Sequence, residues 1–248
     1  MKIRTLVMAL AAFSFMLTAC ENKQAKQPQN GDNNKQEVVD EQTQEEDFHA
    51  STPGDIGVIR SVWSRNPISG ASAVDGKDIE RFAYVFCKKY SRYEPNQVLL
   101  NYLKNPKGFN NEDYEVDNHT SNGYIKCMGR FQVSCDVKGC YWNRNNGHKL
   151  VAFWMENGHE SDPSLADNLL VFYDYDSATD MMTPEPALAE AIDSAMDQYD
   201  EYSVVLPDKG KDIEIVGYMI DYENDSAEST YYIYRWNGND FKLEKAKN

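Results

Sequence analysis

Leu150-Val151-Ala152-Phe153-Trp154-Met155 and, beyond an acidic loop, Leu169-Leu170-Val171-Phe172-Tyr173 decide the fold. A strand with one wet face alternates apolar and polar residues, because successive side chains point to opposite sides. These two runs do not alternate. They are apolar on both faces, which predicts central strands covered from both sides. Arg130-Phe131-Gln132-Val133-Ser134-Cys135-Asp136 does alternate, and it reads as a half-buried strand.

Upstream, Ile79, Phe82, Ala83, Phe86, Cys87 and Tyr90 recur at helical spacing. Glu94-Pro95 opens a second helix with Val98, Leu99, Tyr102 and Leu103 on its buried side, and Asn105-Pro106-Lys107-Gly108 stops it. Lys88, Lys89 and Arg92 give the first helix a basic, solvated face. A third helix runs from about Pro186 to Tyr199, with Leu188, Ile192, Ala195, Met196 and Tyr199 on one side. The strands around it form two similar units, 147–184 and 210–245, each a strand, an acidic loop, a strand, a tight turn and a short strand. In the second unit the turn is Asn237-Gly238, whose residues tolerate positive φ and favour hairpins. The expectation is an α+β class: an N-terminal helical hairpin plus antiparallel β-meanders with one inserted helix, in a single domain over 56–248. The Gly210-Lys211-Asp212-Ile213 segment and the aromatic hairpin after it resemble one repeat of the FG-GAP propellers, but two units do not close a propeller.

The first twenty residues carry a different message. Lys2 and Arg4 precede an apolar run to Met16, too short to span a bilayer, and Leu17-Thr18-Ala19-Cys20 follows. This order resembles the lipobox signal of bacterial lipoproteins. The resemblance implies a signal peptide over 1–19, cleavage before Cys20 and acyl chains on that cysteine. Glu21, in place of the Asp that retains such proteins in the inner membrane, implies the outer membrane, facing either the periplasm or the cell surface. Residues 20–55 are rich in Gln, Asn, Glu and Asp and poor in aliphatics, which predicts a disordered tether. Its root-mean-square reach is roughly 30 Å.

The chain's formal net charge is −15, and cleavage would remove two of its cations, Lys2 and Arg4. Such a balance excludes a nucleic-acid footprint and polybasic docking on anionic lipid, so membrane contact is expected through the N-terminal lipid alone.

Four cysteines follow Cys20, namely Cys87, Cys127, Cys135 and Cys140. An even number in an exported chain predicts two disulfides; buried thiols, or a zinc site using His148, are the alternatives, and no Cys-x-x-Cys pair supports zinc. Asp221-x-Glu223-x-Asp225 begins like a calcium loop, but Ser226 replaces the required glycine and Tyr232 the bidentate acid, and Asp174-x-Asp176-x-x-x-Asp180 fits no better. No metal and no cofactor is expected. His159-Glu160-Ser161-Asp162 groups a histidine with acids, yet no catalytic signature accompanies it, so no catalytic residue is assigned. Tyr232, Tyr234 and Trp236 share one strand face, where exposed rings would stack on sugar or protein and inward ones would form core. Asp176-Ser177-Ala178, Asp193-Ser194-Ala195 and Asp225-Ser226-Ala227 are similar to the O-glycosylation tripeptide of exported proteins in one group of gram-negative anaerobes, which implies Ser177, Ser194 and Ser226 as acceptors. The sequence therefore favours a non-catalytic binding or accessory protein whose partner is an envelope protein or glycan. The rivals are a hydrolase using His159 and Glu160 with Asp174 or Asp176, and an inhibitor or immunity protein acting on a cationic hydrolase.

Overall fold

The computed structural model describes residues 55–130, 134–158, 166–221, 223–224 and 226–245. Its helices are α1 (Asp55–Val62), α2 (Asp78–Lys89), α3 (Glu94–Lys104) and α4 (Pro186–Met196). Its strands are β1 (Ile68–Ser69), β2 (Tyr114–His119), β3 (Tyr124–Gly129), β4 (Cys135–Asn143), β5 (Lys149–Asn157), β6 (Asp167–Asp176), β7 (Met181–Pro184), β8 (Glu201–Val205), β9 (Ile213–Asp221), β10 (Ser226–Trp236) and β11 (Phe241–Lys245). They form two sheets, a first of seven strands in the order β1-β7-β6-β5-β4-β3-β2 and a second of four in the order β11-β10-β9-β8. Every pairing is antiparallel. The class is mixed α+β.

The two doubly apolar runs become β5 and β6, neighbours inside the first sheet. One of its faces carries Tyr141, Phe153 and Tyr173 and receives the N-terminal helices. There Phe86 stacks on Phe153 at 3.9 Å between ring centres, and Phe82 meets Tyr141 edge-on at 5.7 Å. The opposite face carries Trp142, Trp154 and Phe172 and receives the second sheet. Trp154 packs on Tyr202 at 5.8 Å, and Phe241 reaches Trp142 at 5.0 Å and Phe172 at 6.4 Å. Helices, first sheet and second sheet thus form three layers, and the middle one is dry on both sides. Each fully buried ring contributes roughly 1.5–3 kcal/mol relative to exposure.

Local chemistry fixes the helix ends. The Glu80 carboxylate accepts from the Lys77 amide at 2.7 Å and so caps the start of α2. Pro95 and Pro186 sit in the first turns of α3 and α4, where a missing N–H costs nothing.

One expected strand needs correction, and three elements go beyond the expectation. Arg130–Asp136 is not one strand: β3 ends at Gly129, β4 begins at Cys135, and Arg130 and Ser134 belong to the connection, while residues 131–133 lie outside the described residues. Helix α1 and strands β2 and β3 were not expected. Helix α1 is a single short stretch with Gly57 inside it, although Ile56 and Ile59 are buried at helical spacing. Strand β2 is polar because it is the outermost strand of its sheet, with Asp117 paired to Lys126 of β3 at 3.1 Å.

Candidate functional site

The rings of Tyr232, Tyr234 and Trp236 point inward, so these candidate ligand-binding residues form core and not an exposed stripe. Tyr232 and Tyr234 are 7% and 5% exposed. Trp236 stacks on Trp142 at 5.9 Å and leans on Phe241 at 5.1 Å. The reason lies in the pairing. These residues share a face with Ile213 and Ile215 of β9, and that face closes the space between the sheets.

The opposite face of the second sheet is the outer one, and the register lays it out in rows. Val205, Glu214, Ile233 and Glu244 form one row across all four strands. Ser203, Val216 and Tyr231 form the next, and Glu201, Tyr218 and Ser229 the third. At the far end Arg235 pairs with Lys242 in the register, and its guanidinium binds Asp212 at 2.8 Å and Glu244 at 2.7 Å. Tyr231 is 51% and Val205 50% exposed. Among the described residues five large apolar side chains are exposed, and four of them lie on this sheet: Val205 and Tyr231 on the outer face, and Met219 and Leu243 on the side of Tyr232 and Tyr234. The sequence held a signal for this: Tyr231 and Ile233 alternate with Arg235, whose charge marks their side as the wet one, whereas the run Tyr232, Tyr234 and Trp236 is aromatic throughout.

The most densely charged cluster joins the two sheets. Arg144, in the turn between β4 and β5, donates to Asp174 at 2.5 Å and to both Glu185 oxygens at 2.7 and 2.6 Å. Its Nε donates to the Asn239 carbonyl at 2.9 Å, in the turn between β10 and β11. His148 Nδ1 lies 2.6 Å from the other Asp174 oxygen, and its Nε2 lies 3.9 Å from Asp176. The hydrogen bond that the imidazolium donates to Asp174 raises the His148 pKa above the usual histidine range. Burial works against the Arg144 charge, but Glu185 and Asp174 outweigh it and raise its pKa. A histidine–aspartate pair has acid–base capacity, yet no Ser, Thr or Cys side chain hydrogen-bonds His148 among the described residues. The cluster works as a latch between turns. His159, Glu160, Ser161 and Asp162 lie outside the described residues, as do Cys20 and tether residues 21–54, while Asp55, the last residue of the expected tether, begins α1.

Asp136 is the single buried acid among the described residues, 4% exposed. Lys138 reaches it at 3.3 Å and Glu156 at 3.6 Å. Burial pushes the Asp136 pKa up, and Lys138 pulls it partly back. Both carboxylates therefore share one ammonium.

The four cysteines expected in two disulfides stand as free thiols in the structure. The geometry explains why they do not form two pairs. Cys127 and Cys135 are on the helix-facing side of the first sheet, toward Cys87 of α2, whereas Cys140 points to the other face. Burial pushes the Cys127 pKa up to about 12 and raises those of Cys87 and Cys140, so these thiols are poor nucleophiles and poor metal ligands. His148, the histidine offered for zinc, is held by Asp174 instead.

The acidic turns fasten the backbone. Asp221 accepts from the Glu223 and Asn224 amides at 3.0 and 3.2 Å. Asp180, at φ 53°, accepts from the Ser72 amide and hydroxyl at 2.9 and 2.8 Å and from the Tyr175 hydroxyl at 3.1 Å. Ser177 is exposed in the turn after β6, Ser226 is exposed at the start of β10, and Ser194 is exposed on α4. No protein-family model matches this chain, and neither a curated protein nor a solved structure is significantly similar to it.

Proposed function

We propose that this chain is a lipoprotein of the bacterial outer membrane that binds a basic protein partner and carries out no chemistry of its own. Acylated Cys20 would hold it to the membrane, residues 21–55 would extend it, and a helical hairpin of α2 and α3 would back the first sheet while the second sheet faces the partner. One observation carries the binding half of this reading: Tyr231 and Val205, both about half exposed, stand on adjoining rows of the outer face of the second sheet. Aromatic anchors in an otherwise polar surrounding are the usual core of a protein interface. The partner's sign follows from the acids interleaved with them, Glu201, Glu214 and Glu244, and from the net charge of −15. The same surface would suit an inhibitor of a cationic hydrolase, which is one form of this function. A glycan fits less well, because carbohydrate recognition calls for hydrogen-bonding side chains beside the rings, and the row through Tyr231 offers Val216 and Ser203. Ser177, Ser194 and Ser226 remain proposed glycan attachment points.

The test is site-directed photo-cross-linking in cells, with the reactive residue at Tyr231, at Val205 and, as control, at Ser177. Adducts of one basic protein from the first two positions and not the third support the reading. Equal labelling at all three, or none at Tyr231, refutes it. Protease treatment of intact and lysed cells then separates surface display from a periplasmic position.

A further inference from the structure

Strand β1 is hydrogen-bonded to β7 on one side, and on its other edge no strand pairs with it among the described residues. Beside that edge opens a cleft of about 920 Å³, walled by α2 and the last turn of α3. Sites for small organic ligands fall in this size range. Tyr84, Val85 and Leu103 give it an apolar side, and Lys88, Lys89 and Lys104 give it a cationic one. Lys89 reaches the Pro67 carbonyl at 3.4 Å. Lys88 and Lys104 are exposed and form no ion pair or hydrogen bond with any described residue.

This is a local reversal of sign. The chain carries −15 overall, yet three ammoniums face one cleft that a single carboxylate, Asp75, also lines. Lysines in the last turns of α2 and α3 complement the helix dipoles, which accounts for each of them separately. That effect does not require them to converge on an apolar cleft. Nor does solubility, since a soluble acidic chain gains nothing from clustered cations.

We propose that the cleft binds an anionic amphiphile, with a carboxylate or phosphate head against Lys88 and Lys104 and an apolar body along Tyr84, Val85 and Leu103. Lysine ammoniums act as point charges and impose no planar fork, so they accept either head. The site is independent of the outer face of the second sheet, and its test does not depend on any protein partner.

The experiment uses the full chain with Cys20→Ser, so that no acyl group competes. Anilinonaphthalene sulfonate is the anionic probe, and N-phenyl-1-naphthylamine is the same ring body without charge. Reversing both cations, Lys88→Glu with Lys104→Glu, is expected to weaken the sulfonate by about tenfold while the neutral dye changes less than about twofold. Laurate and dodecyl phosphate, below their micellar concentrations, are expected to displace the sulfonate, and dodecanol is not. The more effective of the two identifies the head group. Equal sulfonate affinity in both proteins, parallel loss of both dyes, or displacement by dodecanol as readily as by laurate overturns the proposal. Thermal melts check that the variant is folded; if it is not, Lys88→Gln with Lys104→Gln carries the same comparison with a smaller expected loss of about threefold.

Discussion

Trp236 lies where the two sheets meet, with Trp142 on one side and Phe241 on the other. Its removal leaves a gap in a contact that both layers share. Trp236→Ala is expected to cost about 2–4 kcal/mol in urea unfolding, the lower part of the range for deleted rings because Trp236 is half-buried. At Asp180 the effect is electrostatic. Burial pushes its carboxyl up, but the Ser72 hydroxyl and amide outweigh that and hold its pKa below the usual range. A carboxylate depressed in the folded state adds stability above its unfolded pKa of about 4, and the contribution is lost as pH falls through the lower, folded value. Asp180→Asn is therefore expected to lower the Tm by about 2–4 °C at pH 7, with the difference closing as the pH falls from the unfolded value of about 4 through the lower, folded one. A scan of melts from pH 7 to pH 2 checks it; a constant offset would mean that the hydrogen bonds, and not the charge, matter. His148 has the opposite sign. Its pKa is raised, so its link to Asp174 is fully present below about pH 6.5 and weakens as pH rises through the folded value.

Among the elements, legibility followed burial. Strands β5 and β6 were plain because unbroken apolar runs of six and five residues leave no wet face, and α2 was plain because Ile79, Phe82 and Phe86 recur at the three- and four-residue spacings of one helix face. Edge strand β2 was not legible, since Glu115, Asp117 and Asn118 serve an exposed border and mimic a loop. The orientation of β10 was half-legible. Both of its faces are aromatic, and what separates them is Arg235 on one and its absence on the other. The Arg144 latch could not be read at all, because its partners Asp174, Glu185 and Asn239 are scattered along the chain and their meeting is a property of topology. Orientation yields a test of its own. Tyr231→Ser removes an exposed ring from the outer face, so stability is expected to change by less than about 0.5 kcal/mol. Tyr232→Ser removes a buried ring, and a loss of about 2–4 kcal/mol is expected. Comparable losses at both positions would show that the outer face is itself covered.

For the molecule as a whole, the question is whether the second sheet is an attachment or part of the fold. The middle layer answers it physically. Trp142, Trp154 and Phe172 are buried on the face that the second sheet covers, and together they would expose several hundred Å² if it were absent. Apolar patches of that size on soluble monomers are rare and promote association. The Trp142 indole N–H donates to the Lys211 carbonyl at 2.7 Å, and the Asn145 amide donates to the Gly238 carbonyl at 2.9 Å, so backbone as well as side chains crosses between the layers. The two sheets are thus expected to unfold together. Far-ultraviolet circular dichroism and tryptophan fluorescence should give coincident urea transitions, with a single midpoint. Removal of residues 200–248 should leave a chain that aggregates and lacks the cooperative transition, while Arg144→Ala, which breaks the latch but leaves the aromatic contact, should lower the midpoint and keep the transition single. A truncated chain that melts cooperatively would mean that the first sheet and its helices suffice, and that the second sheet is a module laid on an already complete core.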